Sequence, residues 1–69
     1  MELHEIGNFF RIMRVKNGIK VDEMGELMKV TRNTISNFEN GVSNNLRLFL
    51  KYCVLFGVDL KDIEKGVIK

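Results

Sequence analysis

The segment that decides the fold is Thr31-Arg32-Asn33-Thr34-Ile35-Ser36-Asn37-Phe38-Glu39-Asn40-Gly41. It predicts one short helix. Thr31 suits the N-cap, because its hydroxyl accepts a hydrogen bond from a free backbone N–H at the helix start. Gly41 suits the end, because glycine takes the left-handed conformation that ends many helices. Ile35 and Phe38 lie three residues apart, so they share the face that we expect to be buried.

The opposite face of this helix is unusual in composition. It offers a guanidinium, two amides and a hydroxyl, from Arg32, Asn33, Ser36 and Asn37. These groups pair with base edges, since arginine binds guanine and asparagine binds adenine through two hydrogen bonds each. Composition alone leaves two interpretations open, a helix that reads bases and a polar surface helix with no binding role.

The length of 69 residues predicts a single small domain over residues 1–69, which buries only about 60% of its unfolded surface. The single cysteine, Cys53, excludes an internal disulfide, and we interpret it as a small core residue. The sequence has no cleavable signal pattern, and its most apolar stretch, residues 46–58, is too short to span a bilayer. We therefore expect a soluble, cytoplasmic protein with no membrane contact.

The net charge of +2 is modest, but the charges are segregated. Residues 11–20 contain four basic side chains and no acid, and residues 29–51 contain four against Glu39 alone. The acids gather at residues 22–26 and 59–64. This distribution favours a protein with one nucleic-acid face and one solvated back, although so short a chain can also show it by chance.

The spacing of apolar residues predicts four further helices, over residues 5–17, 21–28, 46–56 and 59–65. In the helix over 46–56 we expect a main core stripe of Leu46, Phe49, Leu50, Cys53 and Phe56. Leu48, Tyr52 and Leu55 are expected to widen this stripe, so that the helix is buried on several sides.

Gly25 lies inside the second predicted helix, where glycine costs about 1 kcal/mol relative to alanine. The cost is explained if another helix approaches too closely there for a side chain. Two short helices joined by about three residues, with a small residue in the first and an apolar pair in the second, predict a helix-turn-helix at about residues 21–40.

The run from Ile6 to Gly41 resembles the lambda-repressor/Cro-like helix-turn-helix family, also called XRE-like. The matching residues are Arg14, Gly18-Ile19, Met24-Gly25-Glu26, Val30-Thr31-Arg32, Ile35 and Phe38-Glu39-Asn40-Gly41. Phe56-Gly57-Val58 continues the match. The resemblance implies a compact, all-α, five-helix DNA-binding domain that needs no cofactor, with C-terminal helices at about residues 45–65.

The resemblance also implies roles for individual residues. The residues facing the major groove and reading bases would be Arg32, Asn33, Ser36 and Asn37. Thr31 and Asn40 would contact the DNA backbone. Arg14 and Glu39 would form an internal ion pair that ties the first helix to the end of the third, and breaking such a pair would cost about 3–5 kcal/mol if it is buried.

Two positions depart from the family pattern. Val21 stands where the family usually has a glutamine that holds a phosphate, so this contact is lost or passes to Lys20. Lys29 stands where the family favours glycine, and a positive φ at lysine costs about 1 kcal/mol, so a local difference in this turn is expected. In the loop after the third helix, Asn44, Asn45 and nearby Arg47 suit phosphate contact. An ordinary loop with an asparagine N-cap is the alternative.

No catalytic group of residues is evident. His4 is the only histidine, and no cysteine or second histidine stands at metal-ligand spacing from it. There is no glycine-rich phosphate loop and no motif for a nucleophile with its base. We therefore predict that the protein is not an enzyme and binds no metal, cofactor or small-molecule ligand.

A pairing of two copies is expected, because one short recognition helix reads few base pairs and such domains usually bind as two-fold dimers. Candidate contacts with a second copy or another protein are Phe9, Ile12, Ile63, Val67 and Ile68. For Phe9 and Ile12 on the first helix, packing inside the domain is the expected alternative to an exposed patch.

The sequence therefore predicts a regulator of transcription, a repressor of phage or mobile-element type that acts as a homodimer on an inverted-repeat operator. The alternative is a protein-interaction module, such as an antirepressor or the partner of a regulator, that keeps the helix-turn-helix frame without specific DNA binding. A repressor that binds DNA and also meets a regulatory protein through its apolar patch combines the two.

Overall fold

The computed structural model describes residues 3–59 and 61. Within this part of the chain the elements are four α-helices, α1 (Leu3–Lys16), α2 (Val21–Met28), α3 (Arg32–Glu39) and α4 (Leu46–Phe56). The prediction of an all-α fold is confirmed for these residues. The predicted bounds of α2 and α4 match, and α1 begins two residues earlier than predicted. The fifth helix predicted over residues 59–65 falls largely outside the described residues.

The helix ends follow from local capping. Thr31 Oγ1 accepts a hydrogen bond from the N–H of Thr34 at 3.2 Å, which starts α3. Asn45 Oδ1 accepts one from the N–H of Leu48 at 3.1 Å, which starts α4. Gly57 has φ +63°, and this left-handed residue ends α4. The sequence predicted the threonine cap and left an asparagine cap open as an alternative for the loop, and both side chains are good backbone acceptors.

The core is formed by apolar side chains from all four helices. The buried members are Phe10, Met24, Met28, Ile35, Phe38, Leu48 and Tyr52. Phe10 lies at the centre, where its ring centroid is 5.2 Å from that of Tyr52, 5.7 Å from that of Phe49 and 6.0 Å from that of Phe38. Aromatic packing therefore joins α1 to both α3 and α4.

The predicted core stripe of α4 is wrong in part. Leu46 and Leu50 are 67% and 55% exposed, and Leu55 is also exposed. Leu48 and Tyr52, which were expected only to widen the stripe, are fully buried. Apolar residues occupy most of the circumference of this helix, so their spacing fits more than one orientation, and tertiary contacts decide which face turns inward.

At two positions a close approach of another backbone segment explains why the residue is glycine. A Cβ atom on Gly25 would lie 2.9 Å from the carbonyl oxygen of Val30, so the predicted close approach is present. The approaching group is the turn between α2 and α3, however, and not the body of another helix. Gly7, which the sequence analysis did not single out, lies where a Cβ would overlap the carbonyl oxygens of Phe38 and Glu39.

Lys29, in the turn between α2 and α3, has φ +60° and adopts the left-handed conformation in which the family favours glycine. Its N–H donates to the carbonyl of Glu26 at 3.2 Å, and the N–H of Val30 donates to that of Gly25 at 2.9 Å. These bonds close the C-terminal end of α2. The expectation of a local difference in this turn is therefore wrong, because lysine adopts the left-handed conformation at a cost of about 1 kcal/mol, which the contacts around it offset.

Lys51 provides a contact that the sequence analysis missed. Its Nζ donates to the carbonyl oxygen of Met28 at 2.9 Å and so caps the last turn of α2 from α4. A cation at the C-terminal end of a helix also interacts favourably with the helix dipole.

We predict that Gly7→Ala lowers the free energy of unfolding by about 1–3 kcal/mol, because the added methyl group forces α1 away from the end of α3. Alanine is otherwise the better helix former by about 1 kcal/mol, so helix propensity acts in the opposite direction. Urea unfolding followed by circular dichroism measures the difference. Asn8→Ala, at the exposed neighbouring position of the same helix, is the control and should change stability by no more than about 0.5 kcal/mol. A Gly7→Ala variant as stable as the wild type would contradict the close approach.

Candidate nucleic-acid interface

A buried polar network fixes the position of α3. Arg14 donates from Nε to Glu39 Oε2 at 2.9 Å and from Nη2 to Glu39 Oε1 at 3.1 Å, so it binds both carboxylate oxygens. Its Nη1 donates to the carbonyl oxygen of Ile19 at 2.7 Å. Glu39 is only 4% exposed. The ion pair therefore ties α1 and the segment after it to the last residue of α3.

Tyr52 completes this network from α4. Its hydroxyl donates to Glu39 Oε2 at 2.8 Å. Burial, together with the hydrogen bond to the Glu39 carboxylate, raises the pKa of Tyr52 well above its usual range, so the hydroxyl stays protonated as a donor. The sequence analysis treated Tyr52 as an apolar residue. The hydroxyl of Tyr52 could have indicated this hydrogen bond from the sequence, because a buried tyrosine hydroxyl needs a hydrogen-bond partner.

The outward face of α3 carries the predicted base-reading residues. Arg32, Asn33 and Asn37 are exposed, and Ser36 is half-buried. Ile35, Phe38 and Glu39 form the opposite, buried face. The Oγ of Ser36 accepts a hydrogen bond from the Nδ2 of Asn40 at 3.2 Å, which joins the last turn of the helix to its cap.

Arg32 makes a contact that the sequence analysis did not anticipate. Its Nε lies 3.1 Å from Asp22 Oδ1, and the two side chains are 70% and 66% exposed. The first turns of α2 and α3 are therefore adjacent.

The residues predicted to hold the DNA backbone stand at helix ends and are all exposed; they are Lys20, Thr31, Asn40 and Arg47. Lys20 immediately precedes α2, and Thr31 immediately precedes α3. Because the first turns of these helices are adjacent, Lys20 and Thr31 lie at neighbouring helix N-termini. Helix starts offer free N–H groups and a positive dipole end, which suit phosphate groups.

The predicted partner contacts do not form one surface in the described residues. Phe9 packs against the core, with its ring 5.3 Å from that of Phe10, whereas Ile12 is 44% exposed. Packing inside the domain is therefore found in part for Phe9 and is wrong for Ile12, and a partner contact at either residue stays a prediction. Helix periodicity placed Phe9 and Ile12 on one face of α1 but did not determine how much of each side chain is buried. Ile63, Val67 and Ile68 lie outside the described residues.

A different apolar surface lies between α2 and α4, and the sequence analysis missed it. The aliphatic surface, as we call it, consists of Leu27, Leu50, Val54 and Leu55, around a shallow depression that Lys29 and Lys51 also line. Val54 is 84% exposed. Exposed aliphatic residues that gather in one place are typical of an interaction surface.

Comparison with protein families identifies the fold. The family model described as a helix-turn-helix domain matches residues 7–67. The chain belongs to the helix-turn-helix domain family. This membership agrees with the lambda-repressor/Cro-like resemblance of the sequence. Comparison with curated proteins and with solved structures gave no match.

In this helix-turn-helix protein the motif is α2 and α3, joined by Lys29-Val30-Thr31. Domains of this family are typically DNA-binding and regulatory modules without enzymatic activity. Among the described residues, no three side chains of the His, Cys, Asp and Glu types are grouped to hold a metal ion. No helix in the part of the chain that the structure describes has the length and apolar character needed to cross a membrane.

We predict that Arg14→Met lowers the free energy of unfolding by about 3–5 kcal/mol, because it leaves the buried Glu39 carboxylate without its counter-charge. Arg11→Met is the matched control. It makes the same substitution one turn earlier on α1, where the side chain is exposed, and should change stability by no more than about 0.5 kcal/mol. Urea unfolding of both variants measures the difference. Equal stabilities for the two variants would show that the ion pair does not hold the helices together.

Proposed function

We propose that this helix-turn-helix protein binds double-stranded DNA in a sequence-specific manner and regulates transcription as a repressor of phage or mobile-element type. The observation that carries the proposal is that Arg32, Asn33 and Asn37 are exposed on the outward face of α3. The opposite face of this helix is buried against the core. Arginine and asparagine are the side chains that read guanine and adenine in the major groove. Ser36, half-buried at the same face, is proposed as the fourth base-reading residue.

We further propose that Lys20, Thr31, Asn40 and Arg47 contact the DNA backbone. Contacts to phosphate set the orientation of a protein on the duplex and carry no sequence information directly. The adjacent starts of α2 and α3 support this assignment for Lys20 and Thr31. In the proposed complex, residues 1–69 act as one domain. A cytoplasmic location of the protein stays a prediction.

The proposed DNA-binding form is a homodimer on an inverted-repeat operator. A recognition helix of eight residues reads few base pairs, and two copies related by a two-fold axis double the site. The aliphatic surface supports a contact between copies, because it offers apolar area that association would bury. The remaining proposed contacts are Phe9, Ile12, Ile63, Val67 and Ile68.

A second candidate function is a protein-interaction module without specific DNA binding, such as an antirepressor or the partner of a regulator. The aliphatic surface favours it, since Leu27, Leu50 and Val54 would dock another protein equally well. Val21 in place of the glutamine expected from the family resemblance also favours it. The polar face of α3 favours DNA binding, because a protein-interaction module that does not bind DNA does not require exposed arginine and asparagine side chains on this helix.

We predict that selection from a pool of random duplexes recovers an inverted repeat with the wild type and that Arg32→Ala/Asn37→Ala abolishes the recovery, because these side chains read the bases. Arg11→Ala/Asn8→Ala is the matched control, since it removes the same two residue types from the exposed face of α1. The control should select the same site as the wild type.

The salt dependence of binding to the recovered duplex distinguishes the two candidate functions. Phosphate contacts give a logarithm of affinity that falls linearly with the logarithm of salt concentration, by roughly 0.9 for each phosphate neutralised. Docking of apolar surfaces lacks this steep dependence. If neither wild type nor control selects a site at low salt, the protein-interaction module becomes the better proposal.

A further inference from the structure

The ion pair between α2 and α3 involves a residue to which no role in DNA binding has been given. Asp22 lies in the first turn of α2, and its Oδ1 is 3.1 Å from the Nε of Arg32, the first residue of the recognition helix. We propose that Asp22 is a positioning residue that orients Arg32 for base reading and raises the specificity of DNA binding. The proposal rests on the function proposed above.

The geometry of the guanidinium supports this role. Arginine presents five N–H donors in a planar fork. The ion pair with Asp22 is formed at Nε, at an N···O distance of 3.1 Å, so the N–H groups of Nη1 and Nη2 remain for a second acceptor. Two parallel donors of this kind match O6 and N7 of guanine in the major groove. An arginine held at Nε loses less conformational freedom when it binds the base than a freely rotating side chain does.

The exposure of the pair indicates that its main effect is not on folding. The two side chains are 70% and 66% exposed, and ion pairs in such positions contribute little to stability. The buried pair of Arg14 and Glu39 is different, because it fixes the frame of the domain. A loss of stability is therefore not the expected sign of the Asp22–Arg32 contact, and its effect is sought in DNA binding, where Arg32 is proposed to read a base.

The charge of Asp22 adds a second effect. Binding to DNA of any sequence depends mainly on the attraction between basic side chains and phosphates. A carboxylate beside Arg32 offsets part of that attraction on non-specific DNA. On the correct site the oriented guanidinium gains its contacts with guanine. Because the carboxylate lowers the attraction to phosphates on both kinds of DNA, its charge largely cancels in the ratio of specific to non-specific affinity, and the orientation of Arg32 is what raises this ratio.

The other acids of α2 provide the comparison. Glu23 is engaged locally, since its Oε1 accepts the backbone N–H of Lys20 at 2.8 Å. Glu26 is exposed and lies four residues after Asp22, on the same face of the helix. Glu26→Gln therefore removes the same charge from the same face and leaves the contact with Arg32 in place.

The test measures affinity for two duplexes, the site selected by the wild type from a random pool and a scrambled duplex of the same composition. It compares wild type, Asp22→Asn, Asp22→Glu, Glu26→Gln and Arg32→Ala at one salt concentration. We expect Asp22→Asn to lower the ratio of the two affinities roughly three- to tenfold. The preference that is lost should be at the same base pair for which Arg32→Ala loses its preference. Asp22→Glu should restore most of the ratio, and Glu26→Gln should keep it within about twofold of wild type.

Three results would overturn the inference. If Asp22→Asn and Glu26→Gln give the same ratio while the wild type still selects a site, the positioning role fails and the proposed function stands. If Asp22→Asn loses as much stability in urea as Arg14→Met does, its role is structural. If the wild type selects no site, the proposed function and this inference fail together.

Discussion

The bidentate ion pair between Arg14 and Glu39 is the constraint on which the rest of the structure depends. It joins α1 to the last residue of α3, and the hydroxyl of Tyr52 adds α4 to the same carboxylate. A charge buried to this extent needs a partner for each of its oxygens, and the network supplies them. The angle of α3 is therefore fixed at its C-terminal end by hydrogen bonds whose geometry leaves little freedom.

The other end of α3 is fixed by close packing of the backbone. Gly25 allows the turn after α2 to fold back against that helix, and Lys51 closes the last turn of α2 from α4. At the C-terminal end, Gly7 allows α1 to approach the carbonyl groups of Phe38 and Glu39. Short helices with little apolar area can pack stably when their backbones come this close. The helix α3 is thus held at both ends, which supports the proposal that it presents side chains to a DNA duplex.

The outward surface of the domain divides into two regions of different chemistry. The face of α3 carries exposed arginine and asparagine side chains, with Asp22 beside Arg32, and supports the proposal of base reading. The aliphatic surface between α2 and α4 is apolar and supports the proposal of association between copies. In the proposed homodimer, pairing of the copies would be coupled to recognition of a two-fold site, because each copy would present one α3 helix.

The sequence by itself determined the bounds of α2 and α4, the cap at Thr31 and membership of the helix-turn-helix family. These features depend on residues close together in the chain or on a motif without gaps. Only the tertiary structure decided which face of α4 is buried, that Tyr52 binds Glu39, that Gly7 is a point of contact and that Asp22 meets Arg32. The physical reason is that these contacts join residues of different helices. Periodicity within one helix gives the spacing of its faces, but the partner of each face depends on how the helices pack together.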